Sequence, residues 1–502
     1  MLAYEEKKLF LNTFFSWIYQ VLAIVSSLIL PRIYLAFYGS EMNGLVQSIT
    51  QFLSIISFMQ LGMGAVVQAS LYKPLVNGEN KEISKIIASA NKFFKKIGLI
   101  LIVYSIVLIF VYPQFTNNVF QYQDVMFLIL AISLNLFAQY YFGLVDILLL
   151  VADQKGYIDY CGSIISLIVN TVVCITLIYA GYSIVNVKII SSVILLIKPI
   201  FNRIYVNKHY SINRNIKYEG EPIKQKWNGI AQHISAVVLD NTDTIVLTMF
   251  STLSNVSIYG IYHMVIFGVK TLLSSISNGI EAMLGEIWAR NNKQELLDCF
   301  SWVEWVVHNF VILIFGCTGT LIVPFVLIYT KGITDANYCQ YEFAILIVLA
   351  HALHSIRLPY HMMIKASGQF KETQSNYFVS AGINLLVSIV TVKYMGLVGV
   401  AIGTLVAMVY QTLWVAIYNY KKLVVRKMKE LLKLTLVDCL CIFLSVLIVI
   451  KLPIFSDTFI KWLLSAGIVF AIWFFIIFTI NYIFYKNKVQ FLINKMKARI
   501  KK

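Results

Sequence analysis

The chain has 502 residues, 59% of them hydrophobic and 13% charged, with a formal net charge of +17. An ordinary soluble domain is about 25% charged with roughly half its residues apolar, so this balance excludes a soluble globular protein and points to a polytopic membrane protein. The basic excess lies between apolar runs of about 20 residues, where it orients membrane helices; it is not read as a nucleic-acid surface.

Runs of that length suit α-helices rising about 1.5 Å per residue across a ~30 Å hydrocarbon core. The alternating segments of about ten residues that barrel strands need are absent. The expected fold is therefore all-α, with about fourteen transmembrane helices. The first run, residues 9–37, is long and aromatic-rich and has no small-residue cleavage site, so it reads as a span and not a removable signal peptide. Further spans are expected at 43–67, 93–112, 125–151, 158–180 and 183–206, then at 229–253, 257–282, 303–329, 338–364, 375–394 and 397–420, and finally at 431–452 and 461–485.

The connections test this count. Lys7 and Lys8, the lysines from Lys73 to Lys96, Lys155, Arg290 with Lys293, Lys365 with Lys371, the group from Lys421 to Lys433 and the basic tail from Lys486 all fall on one side. The alternate segments are nearly bare, and PQFTNNVFQYQD contains no Lys or Arg. An even number of spans with both termini cytoplasmic follows. Between the sixth and seventh spans, the stretch from Asn202 to Asn228 carries Arg203, Lys208, Arg214, Lys217, Lys224 and Lys226 against Glu219 and Glu221, which marks it as cytoplasmic.

The two halves resemble one another. A shift of 214 residues places Ala152 on Ala366, Ser166 on Ser380 and Asn170 on Asn384; after one gap Gly181 meets Gly396 and Tyr205 meets Tyr420. Gly44 likewise aligns with Gly260. Two six-helix lobes related as parallel repeats are expected, because an even number of helices per copy makes both enter from the same side. The division is an N-terminal lobe at 1–206, a basic linker at 207–228, a C-terminal lobe at 229–420, and two additional helices with a basic tail at 421–502. Such repeats enclose a cavity that opens to either face as the lobes rock about the linker.

Ionisable residues at membrane depth are costly and mark candidate sites. Arg32 follows a proline in the first span, Lys270 lies in the eighth, and Arg357 stands beside Pro359 in the tenth. Facing a cavity, the three would bind phosphate; otherwise Arg32 extends to the interface and the others pair with buried carboxylates. Asp240 and Asp243 share a helix face, with His233 seven residues earlier. They either bind a coupling proton or cation or pair with basic residues between the lobes. Glu281 and Glu286 approach the cytoplasmic interface. His351 and His354, with His361 nearby, are expected to line the cavity and not to hold a metal, since no HExxH or comparable pattern accompanies them.

Nucleotide-binding loops, nucleophile elbows and a soluble catalytic domain are absent, so neither an enzyme nor a cofactor is expected. The seven cysteines are scattered without a CxxC pair, which suggests neither a disulfide framework nor zinc. Tyr34, Tyr38, Tyr259 and Tyr262 either pack or stack on sugar rings, packing being the ordinary role.

The runs PRIYLAFYGSEMNGLVQSI, LDNTDTIVLTMFSTLSNVSIYG, KASGQFKETQ and NLLVSIVTVKYMGLVGVAIGTLVA resemble the polysaccharide-transporter branch of the MATE-like superfamily, the Wzx-type flippases. The resemblance covers essentially the whole chain. It implies a bacterial cytoplasmic-membrane protein that moves undecaprenyl-diphosphate-linked oligosaccharide to the outer leaflet for capsule, O-antigen or exopolysaccharide assembly, with a polysaccharide polymerase as a partner. Basic cavity residues would engage the pyrophosphate, the role that Arg32 and Arg357 fit. Lipid II flippases carry an Arg-Asp pair in the first span, where this chain reads LILPR without the acid. Drug-exporting MATE relatives use membrane carboxylates for sodium or proton coupling. Asp240 and Asp243 keep that alternative open, although a cavity lined by arginine and lysine repels organic cations.

Overall fold

The structure is a computed structural model that describes residues 2–59, 61–116, 120–220, 223, 241–452 and 457–500, with no side-chain description at 2–6, 9, 58, 61, 274–279, 282 and 496–500. Among the described residues helix is the only regular secondary structure, with no strand. Twelve helices there are long and apolar enough to cross a membrane. The chain is an all-α multi-pass membrane protein, as its hydropathy requires.

The longest of the twelve, Phe10–Ser57, contains the first expected span and most of the second. It breaks at Gly39, whose φ of 80° and ψ of 175° are outside the helical range and suit a residue without a Cβ. About half of the expected span at 229–253 lies outside the described residues; the rest is helical over 241–250. Together these account for the difference between twelve helices and about fourteen expected spans.

The elements are α1 (Leu2–Ser54), α2 (Leu61–Asn77), α3 (Asn80–Phe115), α4 (Tyr122–Ala138), α5 (Leu144–Ala152), α6 (Gly156–Tyr179), α7 (Ile184–Leu195) and α8 (Ile197–His209). After 241–250 come α9 (Leu253–Ala289), α10 (Lys293–Tyr329), α11 (Tyr341–Ile356), α12 (Leu358–Ala366), α13 (Phe370–Met395), α14 (Leu397–Tyr418), α15 (Met428–Val449), α16 (Phe459–Phe484) and α17 (Lys486–Ile500). A π-helical turn joins α4 to α5 at Gln139–Gly143, and another follows α14 at Asn419–Leu423. The chain divides into two compact units, Met1–Ser257 and Ile258–Lys502.

In the first unit, large apolar side chains such as Phe110 and Val172 face outward, while Ser166, Asn170 and Ser191 are buried. That inversion of a soluble core is what a lipid-facing bundle requires, because lipid gives apolar groups no reason to hide and leaves polar groups nowhere else to bond. Ser191 Oγ donates to Asn170 Oδ1 at 2.7 Å and fastens α7 to α6. The second half of α1 lies against residues 241–257. Asn43 Nδ2 donates to Ser257 Oγ at 2.8 Å, Ser48 and Thr248 share a hydroxyl bond of 2.7 Å, and a Cβ on Gly44 would fall 1.8 Å from the Leu253 carbonyl oxygen.

One end of the first unit is closed by ion pairs. Asp146 is fully buried and takes Arg203 Nη1 at 3.1 Å and Arg214 Nη2 at 2.7 Å. Asp159 takes Lys198 at 3.2 Å and accepts from Asn202 Nδ2 at 2.6 Å; Asp153 takes Lys155 at 2.7 Å and accepts from Tyr210 at 2.5 Å. Burial pulls the Arg214 guanidinium below its ordinary pKa, with Asp146 opposing the shift. The start of the basic central stretch is thus docked on the first unit, and two of its arginines neutralise a buried acid in addition to contributing loop charge.

In the second unit, α13 and α14 form a close antiparallel pair. Ser380 Oγ donates to the Ala407 carbonyl at 3.2 Å, Asn384 Nδ2 to Thr404 Oγ1 at 3.1 Å, and Thr391 Oγ1 to the Gly399 carbonyl at 2.7 Å. Small residues on the facing surfaces let the two backbones approach. Asn384 is the residue that the internal alignment places on Asn170, and each fastens the corresponding helix pair of its own unit. The aligned reversals match as well: Gly181 has φ 82° and Gly396 φ 53°. Helices α15 and α16 pack on α10, where Trp473, Cys441 and Ile312 share an apolar core.

Candidate anion-binding site

A cluster of basic and imidazole groups, with His351 and Arg357 buried and the others partly buried, is held in the second unit by α9, α11, α12 and α13. Proline fixes its centre. Pro359 at the start of α12 cannot continue the hydrogen-bond ladder of α11, so the helix breaks at Arg357. Arg357 is 8% exposed. Its Nη2 lies 3.0 Å from His354 Nδ1, and its guanidinium stands over the Tyr377 ring at 6.0 Å from the centroid. Tyr377 Oη in turn lies 2.6 Å from His361 Nδ1.

His351, one turn before His354, is 4% exposed, and neither of its ring nitrogens has a hydrogen-bond partner among the described residues. Its ring centroid is 5.8 Å from that of His263 on α9 and 6.4 Å from that of His354. Lys270, also on α9, is close enough to His351 and His354 for its charge to act on both. Unpartnered buried nitrogens cost stability, and here they sit beside several cationic groups. A multiply charged oxyanion would supply acceptors to the His351 ring in a setting made cationic by Lys270 and Arg357.

The sequence-derived residues distribute unevenly over this geometry. Lys270, His351, His354 and Arg357 converge, and His361 joins them through Tyr377. Arg32, in α1 of the first unit, is partly exposed. His233 and Asp240 lie outside the described residues. Asp243 is 2% exposed within the helical stretch 241–250. Glu281 pairs with Lys365 at 3.3 Å, and Glu286 pairs with Arg290, so both acids take surface roles. Tyr34, Tyr259 and Tyr262 are buried, and Tyr262 Oη donates to the Tyr338 carbonyl at 2.8 Å, so these three pack. Tyr38 is half-buried and donates to the Tyr182 carbonyl at 2.6 Å.

Sequence reasoning missed His263 and Tyr377. His263 lies seven residues before Lys270, on the same helical face, and that spacing is the signal that could have found it. It also missed Lys188 of the first unit, whose Nζ stands 4.4 Å from the centre of the Tyr34 ring. Among the described residues no group of three or more His, Cys, Asp or Glu side chains is arranged to hold a metal ion.

Solved structures share this fold. "Lipid II flippase MurJ, inward closed conformation" superposes with a TM-score of 0.69 over 95% of this chain and 99% of that one, at 15% sequence identity. The inward-facing conformation of a multidrug resistance MATE family transporter of the MOP superfamily gives a TM-score of 0.60 over 80% of this chain and 94% of that one, at 13% identity. The Vibrio cholerae MATE transporter VcmN in its bent form gives 0.53 over 84% and 97%, at 12% identity. No protein-family model and no curated protein matches the sequence.

Proposed function

We propose that this protein is a flippase that moves an oligosaccharide carried on a polyprenyl diphosphate, undecaprenyl diphosphate in a bacterial host, across the cytoplasmic membrane. The observation that carries the proposal is the buried orphan imidazole of His351 beside Lys270, His354 and Arg357. A pyrophosphate offers oxygens to all four, whereas an organic cation is repelled by Lys270 and Arg357. The superposition on a lipid II flippase supports the same class of lipid-linked cargo. Missing an acid in LILPR, the first span departs from the Arg-Asp pair of lipid II flippases, which favours a different glycan on the same carrier.

Transport in this reading follows alternating access, with both termini in the cytoplasm as the basic loops suggest. The product would supply capsule, O-antigen or exopolysaccharide assembly, where a polymerase consumes it. The competing reading is cation-coupled drug export, which the MATE-like fold and the buried Asp243 favour.

Translocation of lipid-linked oligosaccharide in proteoliposomes, with wild type and Arg357→Ala, tests the proposal, with gel filtration in detergent verifying folding. The expected result is transport by wild type and a loss of at least about tenfold in the folded variant, a difference of about 1.4 kcal/mol. Unimpaired Arg357→Ala would remove the headgroup role from this cluster. Movement of lipid II in preference to other glycans would reassign the cargo, and expulsion of organic cations without lipid movement would establish the exporter.

A further inference from the structure

A second set of buried charges lies in the second unit, where α15 and α17 join α10. Glu304 and His308 stand one turn apart on α10, both 2% exposed; Tyr360 on α12 and Tyr420 in the π-helical turn are each 1% exposed, and Asp438 on α15 is 6% exposed. Asp438 Oδ2 lies 2.7 Å from His308 Nδ1, His308 Nε2 lies 3.3 Å from Tyr360 Oη, and Tyr360 Oη lies 2.9 Å from Glu304 Oε1. Tyr420 also donates to Glu304 at 3.0 Å, and Arg426 Nη1 closes the chain on Oε2 at 2.7 Å.

The proton inventory of this chain is informative. Tyr360 has one hydroxyl proton, so it cannot donate to both Glu304 and His308. If His308 is neutral with its proton on Nδ1 toward Asp438, only one of the two contacts of Tyr360 is a hydrogen bond at a time: Glu304 keeps Tyr420 and Arg426 as donors, and Nε2 loses its donor whenever Tyr360 turns to Glu304. With His308 protonated on both nitrogens, every contact becomes a hydrogen bond: Nδ1–H to Asp438, Nε2–H to Tyr360, and Tyr360 O–H to Glu304. Among the described residues the only ion pair of Asp438 is with His308, so the protonated imidazole also supplies the counter-charge in contact with that buried carboxylate.

We infer that Glu304, Tyr360, His308 and Asp438 form a proton-binding site, with the proton held on His308. The site has a route to water: Glu304 borders a cavity of about 270 Å³ shared with Ser301, Arg426, Glu430, Lys433 and Lys488. A proton reaching Glu304 is passed to Tyr360 as Tyr360 gives its own hydroxyl proton to His308 Nε2. Tyr360 ends as it began, Glu304 returns to carboxylate, and the imidazole becomes imidazolium. The groups facing this chain are Glu304 and His308 from α10, Tyr360 from α12, Tyr420 and Arg426 after α14, Glu430, Lys433 and Asp438 from α15, Tyr485 after α16, and Lys488 from α17. Since Asp438 is on α15 and His308 on α10, proton occupancy changes the bond that ties the appended helices to the rest of the unit. This inference does not depend on the cargo.

The ring ¹⁵N resonances of the seven histidines, recorded on the full chain in nanodiscs between pH 6 and pH 9, test the site. His308→Gln assigns the signal by its disappearance, and Asp438→Asn, which keeps the side chain's shape, assigns it by displacement should the first variant fail to fold. The expected His308 ring is doubly protonated at pH 6 and loses one proton reversibly by pH 9, with proton affinity at least tenfold weaker in Asp438→Asn. A ring singly protonated throughout the range overturns the proposal. So does an unchanged titration in folded Asp438→Asn.

Discussion

Arg426 turns its guanidinium back onto α10 and places Nη1 2.7 Å from Oε2 of Glu304, a carboxylate 2% exposed. The two residues are 122 positions apart in the chain. This pair joins the segment after α14 to the middle of the second unit, and Arg426 also reaches Glu430 at 2.5 Å.

Removing Arg426 leaves Glu304 with the Tyr360 and Tyr420 hydroxyls but without the cation that pairs with it. Arg426→Ala is expected to destabilise the protein by about 3–5 kcal/mol, and adding Glu304→Gln to recover part of that loss, because the second change removes the stranded charge. Unfolding in detergent of both single variants and the double variant measures the coupling. Additive effects would show that the pair contributes nothing beyond its separate residues.

His351 gives the opposite prediction for stability. Both ring nitrogens are buried without partners among the described residues, so His351→Met is expected to leave the melting temperature unchanged or to raise it, since it removes a cost of about 1–3 kcal/mol. Lipid-linked glycan transport by the same variant is expected to fall. A variant that is destabilised while its transport persists would make His351 a packing residue.

Two glycines should respond differently to alanine. A Cβ on Gly403 would lie 2.1 Å from Ser388 Oγ, 2.8 Å from Ser388 N and 3.0 Å from the Asn384 carbonyl oxygen, whereas one on Gly382 meets nothing within 4 Å. The backbone atoms around Gly403 cannot yield without separating α13 from α14, so Gly403→Ala is expected to cost about 1–3 kcal/mol. Gly382→Ala is expected to be neutral or stabilising by up to about 1 kcal/mol. Thermal unfolding of the two variants side by side decides the matter.

Lys488 donates to the Ser301 carbonyl at 2.7 Å and to Ser301 Oγ at 2.8 Å. Burial first, and then the neighbouring Arg426, push its ammonium down from 10.5 to about 8. Between these values the unfolded chain holds the proton that the folded chain has released, so this residue makes stability rise with pH from about 8 to 10.5. Lys488→Met should lose that increment. Competitive acylation of the amine should reach half its maximum near pH 8, and a midpoint at the ordinary lysine value would remove the effect.

Hydropathy and length determined the fold class, because a helix that bonds its own backbone is the local solution for an apolar run of about 20 residues in lipid. The chain also disclosed its reversals: Gly181 and Gly396 align internally, and both adopt positive φ. Asn170 and Asn384 were legible as equivalents, and both proved to fasten helix pairs. In the candidate site, Lys270, His351, His354 and Arg357 could be read individually because ionisable groups at membrane depth stand out against apolar neighbours.

What the sequence could not assign was partnership. Asp146 stands in the apolar run GLVDILLLVA, and its partners are Arg203 and Arg214, 57 and 68 positions away. Glu304 and His308 drew no notice on a long helix until folding set Tyr360, Arg426 and Asp438 against them. A buried charge declares through its cost that it needs a partner, but which partner reaches it within about 3 Å is decided by how the helices pack.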